Sequence, residues 1–338
     1  METKPKILLI GPGGVGTIVA YGIYYVGKAD ISIVVRRDYE KVKENGYNIN
    51  SCDYGEIKNW KPDNIFPNVE AAASYGPFDF IVVATKNLPD IIKVEDLIEP
   101  VVSEHTSVAL FQNGFDLGRP LIAKYPGHVI ISGVSHIGSH NFHGEIHQTQ
   151  QDKSFVSYFE NSTVSKEVNE AKTKEFIALY SNEKNNCTYF PDGKWNRYKK
   201  LVYNASFNTI CTLTGVDTGR LELSGGIDTI VLPAMREIIA IAKADGCELS
   251  DDAINSAIHS DDGDYFRPSM LVDADKGNPI ELEVILGNLL RVANELGVAA
   301  PTLNVIYNLL KVVQFRLKEA NGIEKVPKER PINDKYWK

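Results

Sequence analysis

Residues 6–16 read Lys6-Ile7-Leu8-Leu9-Ile10-Gly11-Pro12-Gly13-Gly14-Val15-Gly16. A short apolar run enters a glycine-rich turn, and a helix-compatible segment, about Val15–Val26, follows and ends near Gly27, a plausible C-cap. A second apolar run, Ile31–Val35, comes next. That is the strand, turn, helix, strand order of a dinucleotide-binding βαβ unit. Each glycine has a mechanical part: Gly11 makes the turn, Gly13 lets backbone N–H groups approach a pyrophosphate, and Gly16 lets helix and strand pack closely. Gly14 and Val15 open the helix, whose unpaired N–H groups and dipole favour an anion.

Further runs of the buried parallel-strand type follow at Phe80–Ala84, Ser107–Phe111 and Val129–Val134, with helix-like segments between them. Phe155–Phe159 and Thr188–Phe190 read as additional strands around a helix at about Ser165–Tyr180. Tyr47–Phe66 reads as a small hairpin added to the same sheet, turning at Cys52-Asp53-Tyr54-Gly55. After Pro191-Asp192-Gly193 the pattern becomes helical: Trp195–Leu213, Gly226–Ala244, Asp251–Ile258, Asn278–Leu296 and Pro301–Ala320. The expected architecture is α/β, a Rossmann-type doubly wound sheet over 1–192 followed by an all-helical domain over 193–322 and a polar tail over 323–338.

Composition narrows the class. The chain has 338 residues, 43% hydrophobic and 24% charged, with a net charge of -8, which argues against a nucleic-acid partner. No apolar run reaches the roughly 18 residues of a membrane span, and the first residues do not form a signal-peptide pattern. Four scattered cysteines without a CxxC pair fit a reduced, cytoplasmic protein. His136, His140, His143 and His147 cluster in a turn-rich β region without the cysteine or carboxylate spacing of a zinc site, so no metal is expected.

Candidate binding residues lie where ligands of open α/β sheets bind, beyond the carboxyl ends of strands. Arg36 follows the second strand, 25 residues after Gly11, and suits a 2′-phosphate, favouring NADPH; Asp38 leaves NADH open, or opens the next helix. Lys86 and Asn113 end two further strands, as a charge at the cofactor and a hydrogen-bonding group at the nicotinamide ribose or the substrate. In the segment from Trp195, Lys200, Asn204 and Asn208 recur at i, i+4 and i+8, a polar stripe on a helix whose apolar residues nearly encircle it. Buried polar groups need partners, which a substrate cleft would supply. Glu281 is expected in a first helical turn.

Together these pieces resemble the ketopantoate reductase (2-dehydropantoate 2-reductase) family, with this chain a divergent, fungal-like member. The matching segments are GPGGVG, Arg36, the ATK ending at Lys86, and the FQNG containing Asn113. They continue through PDGKWNRYKKLVYNASFNTI, close to the family's W-x-K-L-x-x-N-x-x-x-N, and PSMLVDADKGNPIELEVILGNLL with its Ser269-Met270 and Glu281. NELGVAAPTLN completes the match. The resemblance implies an NADPH-dependent oxidoreductase that reduces a 2-keto compound, most simply ketopantoate to (R)-pantoate, as a monomer or homodimer. Lys200 would be the general acid and Glu281 would support it and the substrate. Asn204, Asn208 and Ser269 would bind substrate, while Gly11, Gly13, Gly14, Val15, Gly16, Arg36, Lys86 and Asn113 bind the cofactor, with the active site in a cleft between the domains. The chain departs from the family at Phe266, where asparagine is common, and at Ile280-Glu281-Leu282-Glu283 and Ile285-Leu286-Gly287 in place of T-E-I-D and L-N-G. Phe266 admits a second substrate class, other α-keto acids, esters or diketones. A non-catalytic NADPH sensor and a 3-hydroxyacid dehydrogenase are the rival readings.

Overall fold

The computed structural model describes residues 4–332. The chain divides at Lys199/Lys200 into two compact units. The last residues of the expected polar tail, 333–338, lie outside the described residues.

The first unit runs β1 (Lys6–Ile10), α1 (Gly14–Val26), β2 (Asp30–Val34), α2 (Tyr39–Asn45), β3 (Tyr47–Ser51), β4 (Gly55–Trp60), β5 (Asn64–Phe66) and α3 (Val69–Ala73). It continues with β6 (Phe80–Val83), α4 (Val94–Leu97), β7 (Ser107–Leu110), α5 (Gly118–Lys124), β8 (Ile130–His136), β9 (Ser139–Phe142), β10 (Glu145–Gln148), β11 (Lys153–Tyr158), α6 (Lys166–Tyr180) and β12 (Asn186–Tyr189). Eight strands form the main sheet in the order β12-β11-β8-β7-β6-β1-β2-β5, and every neighbouring pair is parallel except β8 with β11. The short apolar runs earn their burial: Phe80, Ile81, Val82 and Val83 are all fully covered. Strand order reverses at β1, because β2 and β5 lie on one side of it and β6 and β7 on the other. Such a switch point is where an open sheet of this kind binds its ligand.

The 47–60 hairpin forms as expected but does not extend the main sheet. It belongs to a separate four-stranded sheet, β4-β3-β10-β9. The cause is a long-range partner: β10 pairs in parallel with β3, Glu145 opposite Asn48 and Gln148 opposite Ser51. Tyr47, Ile49, Trp60 and Ile146 then join the core that contains α1, and Tyr21 of α1 meets the Trp60 ring edge-on at 5.3 Å. The main sheet takes the three-residue β5 at that edge instead.

Helix α7 (Gly193–Tyr203) crosses the division between the units. The second unit continues with a π-helical turn, Asn204–Asn208, and then α8 (Thr209–Thr214), α9 (Thr218–Leu223), a second π turn Ile227–Val231, α10 (Leu232–Ala244), α11 (Asp252–Ile258) and α12 (Ser269–Asp275). A third π turn, Glu283–Gly287, leads into α13 (Asn288–Glu295), and α14 (Pro301–Ala320) closes the unit. Glu237 of α10 caps α14, accepting the Thr302 and Leu303 N–H groups at 2.9 Å each. Among the described residues, no helix is long and apolar enough to cross a membrane.

Candidate active site

Strand register aligns the candidate residues of the first unit. Ile10 is paired with Val34 of β2 and with Val83 of β6, and Val83 is paired with Leu110 of β7. The residues that follow these strands therefore leave the sheet along one edge: the glycine turn, Arg36, Lys86 and Asn113. The glycines divide their work as steric reasoning requires. Gly11 has φ +95°, and a Cβ there would meet the Thr85 backbone nitrogen at 2.5 Å. At Gly16 a Cβ would collide with the Gly11 carbonyl, so this glycine permits the close approach of α1. At Gly13 a Cβ would meet nothing within 4 Å. That glycine faces open space above the N-terminus of α1, which has no side-chain cap and no acidic residue in its first turn. A pyrophosphate fits such a place, so the residues present suit a nicotinamide dinucleotide. Val15 is half-buried in the first turn of α1.

Gly14 serves a purpose the sequence pattern hides. A Cβ there would strike the backbone of Ser139 on β9. The β9–β10 hairpin is held to the glycine turn by Asn141, whose Nδ2 donates to the Pro12 carbonyl at 2.9 Å while its Oδ1 accepts the Gly144 N–H at 2.8 Å. Arg36 and Arg37 are exposed just beyond β2. Asp38 stands at the N-cap of α2, and its Oδ1 lies 2.9 Å from Nδ1 of His143. The four clustered histidines are spread over β8, β9, the hairpin turn and β10; His140 pairs across the ladder with His147, and Phe142 stacks near both. Among the described residues no group of three or more His, Cys, Asp or Glu is arranged to hold a metal ion.

Lys86 is exposed and Asn113 half-buried, and the two turns that carry them are tied together. Gln112 donates Nε2 to the Thr85 carbonyl at 3.0 Å and to the Thr85 hydroxyl at 3.1 Å, and accepts from Asn87 Nδ2 at 3.1 Å.

The other candidates lie in the second unit. The expected single helix from Trp195 starts instead at Gly193 and is interrupted by the π turn at Asn204–Asn208, which carries both asparagines. Leu201, Val202, Ala205, Phe207 and Ile210 are buried, as an apolar girdle requires. Side-chain hydroxyls tie this run to its own carbonyls: Ser206 to Val202, Thr209 to Ala205 at 2.9 Å and Thr212 to Asn208 at 2.6 Å. A π turn is rare and costs regularity; such turns concentrate at functional sites. Lys200 and Asn204 are half-buried on this run.

Asn208, 1% exposed, spends its amide on α12: Nδ2 donates to Ser269 Oγ at 3.2 Å and Oδ1 accepts the Met270 N–H at 2.8 Å. It thereby fixes Ser269, which is exposed. The π turn packs on α12 and on the Glu283–Gly287 turn, so packing gathers the segments that carry Asn204, Asn208, Ser269 and Glu281.

Glu281 does not lie in a helical first turn. It immediately precedes the helical run, its carbonyl accepting the Ile285 N–H at 3.2 Å. The reason is Gln314 of α14, unnoticed in the sequence. This buried amide binds both sides of Ile280, accepting its N–H at 2.9 Å and donating to its carbonyl at 3.1 Å, and so holds that stretch out of the helix. Glu281 itself is 5% exposed. Glu283 accepts the Tyr307 hydroxyl at 2.9 Å and 3.0 Å with its two carboxylate oxygens. Phe266 presents a 38% exposed side chain, and its carbonyl accepts the Thr218 N–H at 3.0 Å. Beside it lies a cavity of about 210 Å³ lined by Phe207, Tyr265, Glu222, Asp261, Asp262 and Asp264, among others.

Comparison with known proteins finds relatives that span most of the chain. The family profile described as ketopantoate reductase PanE/ApbA matches residues 7–161, and its C-terminal counterpart matches residues 192–314. An uncharacterized Saccharomyces cerevisiae protein is 39% identical, covering 95% of this chain and 96% of its own length. A Nostoc 2-dehydropantoate 2-reductase is 26% identical over 92% of this chain and 96% of its own. The crystal structure of 2-dehydropantoate 2-reductase from Methylococcus capsulatus superposes with a TM-score of 0.79 at 29% identity, covering 92% of this chain and 97% of that one.

Proposed function

The chain belongs to the ketopantoate reductase family, and on that premise we propose that it uses NADPH to reduce a 2-keto acid, 2-dehydropantoate, to the 2-hydroxy acid (R)-pantoate. The observation that carries this reading is the set Lys200, Asn204 and Asn208 on one helical run, interrupted by a π turn and bound through Asn208 to Ser269. Lys200 and Asn204 are half-buried on this run, where a substrate would give their polar groups a use.

Bound nicotinamide supplies the hydride. The glycine turn and the α1 N-terminus would take the pyrophosphate, Arg36 and Lys86 the cofactor's phosphate end, with Arg36 on the 2′-phosphate, and Asn113 its nicotinamide side. As hydride reaches the carbonyl carbon, negative charge grows on the substrate oxygen. The Lys200 ammonium stabilises that charge and donates the proton that completes the hydroxyl. Glu281 supports the ammonium, while Asn204 and Ser269 hold the substrate by hydrogen bonds, with Asn208 acting through Ser269.

A second reading within the same chemistry is favoured by the ground around Phe266. A phenyl ring there, beside a cavity lined in part by four acidic residues, suits a neutral or aryl ketone better than a small anion. Steady-state kinetics with ketopantoate and with an aryl 2-keto ester separates the two. A higher kcat/KM for ketopantoate supports the first reading. A higher value for the ester, reversed toward ketopantoate by Phe266→Asn, supports the second.

A further inference from the structure

Arg197 lies on α7 within the first unit and is 5% exposed. Its guanidinium donates to five oxygens, none of them on a carboxylate. Nε donates to Ser132 Oγ at 2.8 Å; Nη1 donates to the carbonyls of Gln112 at 3.0 Å and Gly114 at 2.9 Å; Nη2 donates to the carbonyls of Leu110 at 3.4 Å and Gly133 at 3.3 Å. The ring of Phe159 covers it at 5.3 Å. Burying a guanidinium without a carboxylate is expensive, and an apolar side chain of similar volume would pack at lower cost. Burial pushes its pKa down to about 9, so the group remains charged at neutral pH.

The two Nη1 bonds explain why the cost is borne. They fall on the carbonyls of Gln112 and Gly114, the residues on either side of Asn113. The peptide plane entering Asn113 and the plane leaving Gly114 are therefore held by one guanidinium, whose planar set of five donors lysine cannot reproduce. Through the Gln112 side chain the same turn holds Thr85 and Asn87, on either side of Lys86.

We propose that Arg197 is a positioning residue of the cofactor half, acting on the reaction by orienting Asn113 from beneath the sheet edge. The inference rests on the reading of Asn113 as a cofactor contact. It is tested by a double-mutant cycle on the full-length protein with Arg197→Lys and Asn113→Ala, reading kcat/KM for NADPH. Arg197→Lys alone should lower that value about tenfold or more, the scale of a misplaced contact. In the Asn113→Ala background it should lower it little further. Equal losses in both backgrounds, or no loss from Arg197→Lys, overturn the proposal. An unimpaired Asn113→Ala instead overturns the reading of Asn113 itself. Should Arg197→Lys fail to fold, Ser132→Ala removes only the Nε acceptor and enters the same cycle, with the same two outcomes in a smaller effect.

Discussion

Along the edge from β1 to β7, candidate residues are set in place by backbone: hydrogen-bond register aligns four strand ends, and a glycine at φ +95° turns the chain back. From Lys200 onward they are set by side chains: Asn208 to α12, Gln314 to Ile280, Glu283 to Tyr307. Backbone geometry tolerates almost any sequence that keeps the glycines, so the cofactor half can persist while substrates change. The substrate half depends on individual amides and carboxylates, and there this chain departs from its family, at Phe266 and around Glu281.

The largest effect that would sharpen this contrast is chemical. Lys200→Ala should cut kcat about 10²–10⁴-fold, the scale of a lost general acid, with NADPH affinity by titration kept. Near-normal turnover would remove Lys200 from its role. On the cofactor side, Arg36→Ala should weaken NADPH about 10- to 100-fold, the worth of a charged hydrogen bond, and leave NADH almost unchanged. Equal losses for both would mean that the arginine does not read the phosphate.

Two glycines separate fold from ligand within one turn. Gly11→Ala should cost about 1–3 kcal/mol of stability in denaturant melts, because a left-handed residue would be pressed against Thr85. Gly13→Ala should melt like the wild type and bind NADPH about tenfold more weakly. Equal stability losses at the two positions would contradict the division of labour. The smallest expected effect is at Asn208. Asn208→Ala, which deprives α12 of its capping amide, should cost about 1–2 kcal/mol, a shift in Tm of a few degrees, with a matching loss at Ser269→Ala absent.

The main sheet was legible because its strands are short continuous apolar runs and its first turn needs glycine for steric reasons. The second sheet was not, since β3 finds β10 some hundred residues later and no local periodicity announces that pairing; the requirement for Gly14 is hidden for the same reason. In the helical unit, the spacing of Lys200, Asn204 and Asn208 marks a helical run that the structure contains. It assumed an unbroken α-helix, and the π turn depends on packing against α12 that spacing does not encode. α9 is six residues long, too short for a hydrophobic period to declare it. Arg197 and Gln314 carry polar side chains that read in sequence as ordinary surface groups, and only their burial shows what they hold.

The most direct test of the account follows NADPH loss and 2-hydroxy acid formation together, with ketopantoate and purified wild-type protein. The account predicts catalytic turnover with one NADPH consumed per hydroxy acid formed, and much slower turnover with NADH. NADPH binding without oxidation on ketopantoate or on any of a panel of 2-keto acids, esters and diketones would contradict it.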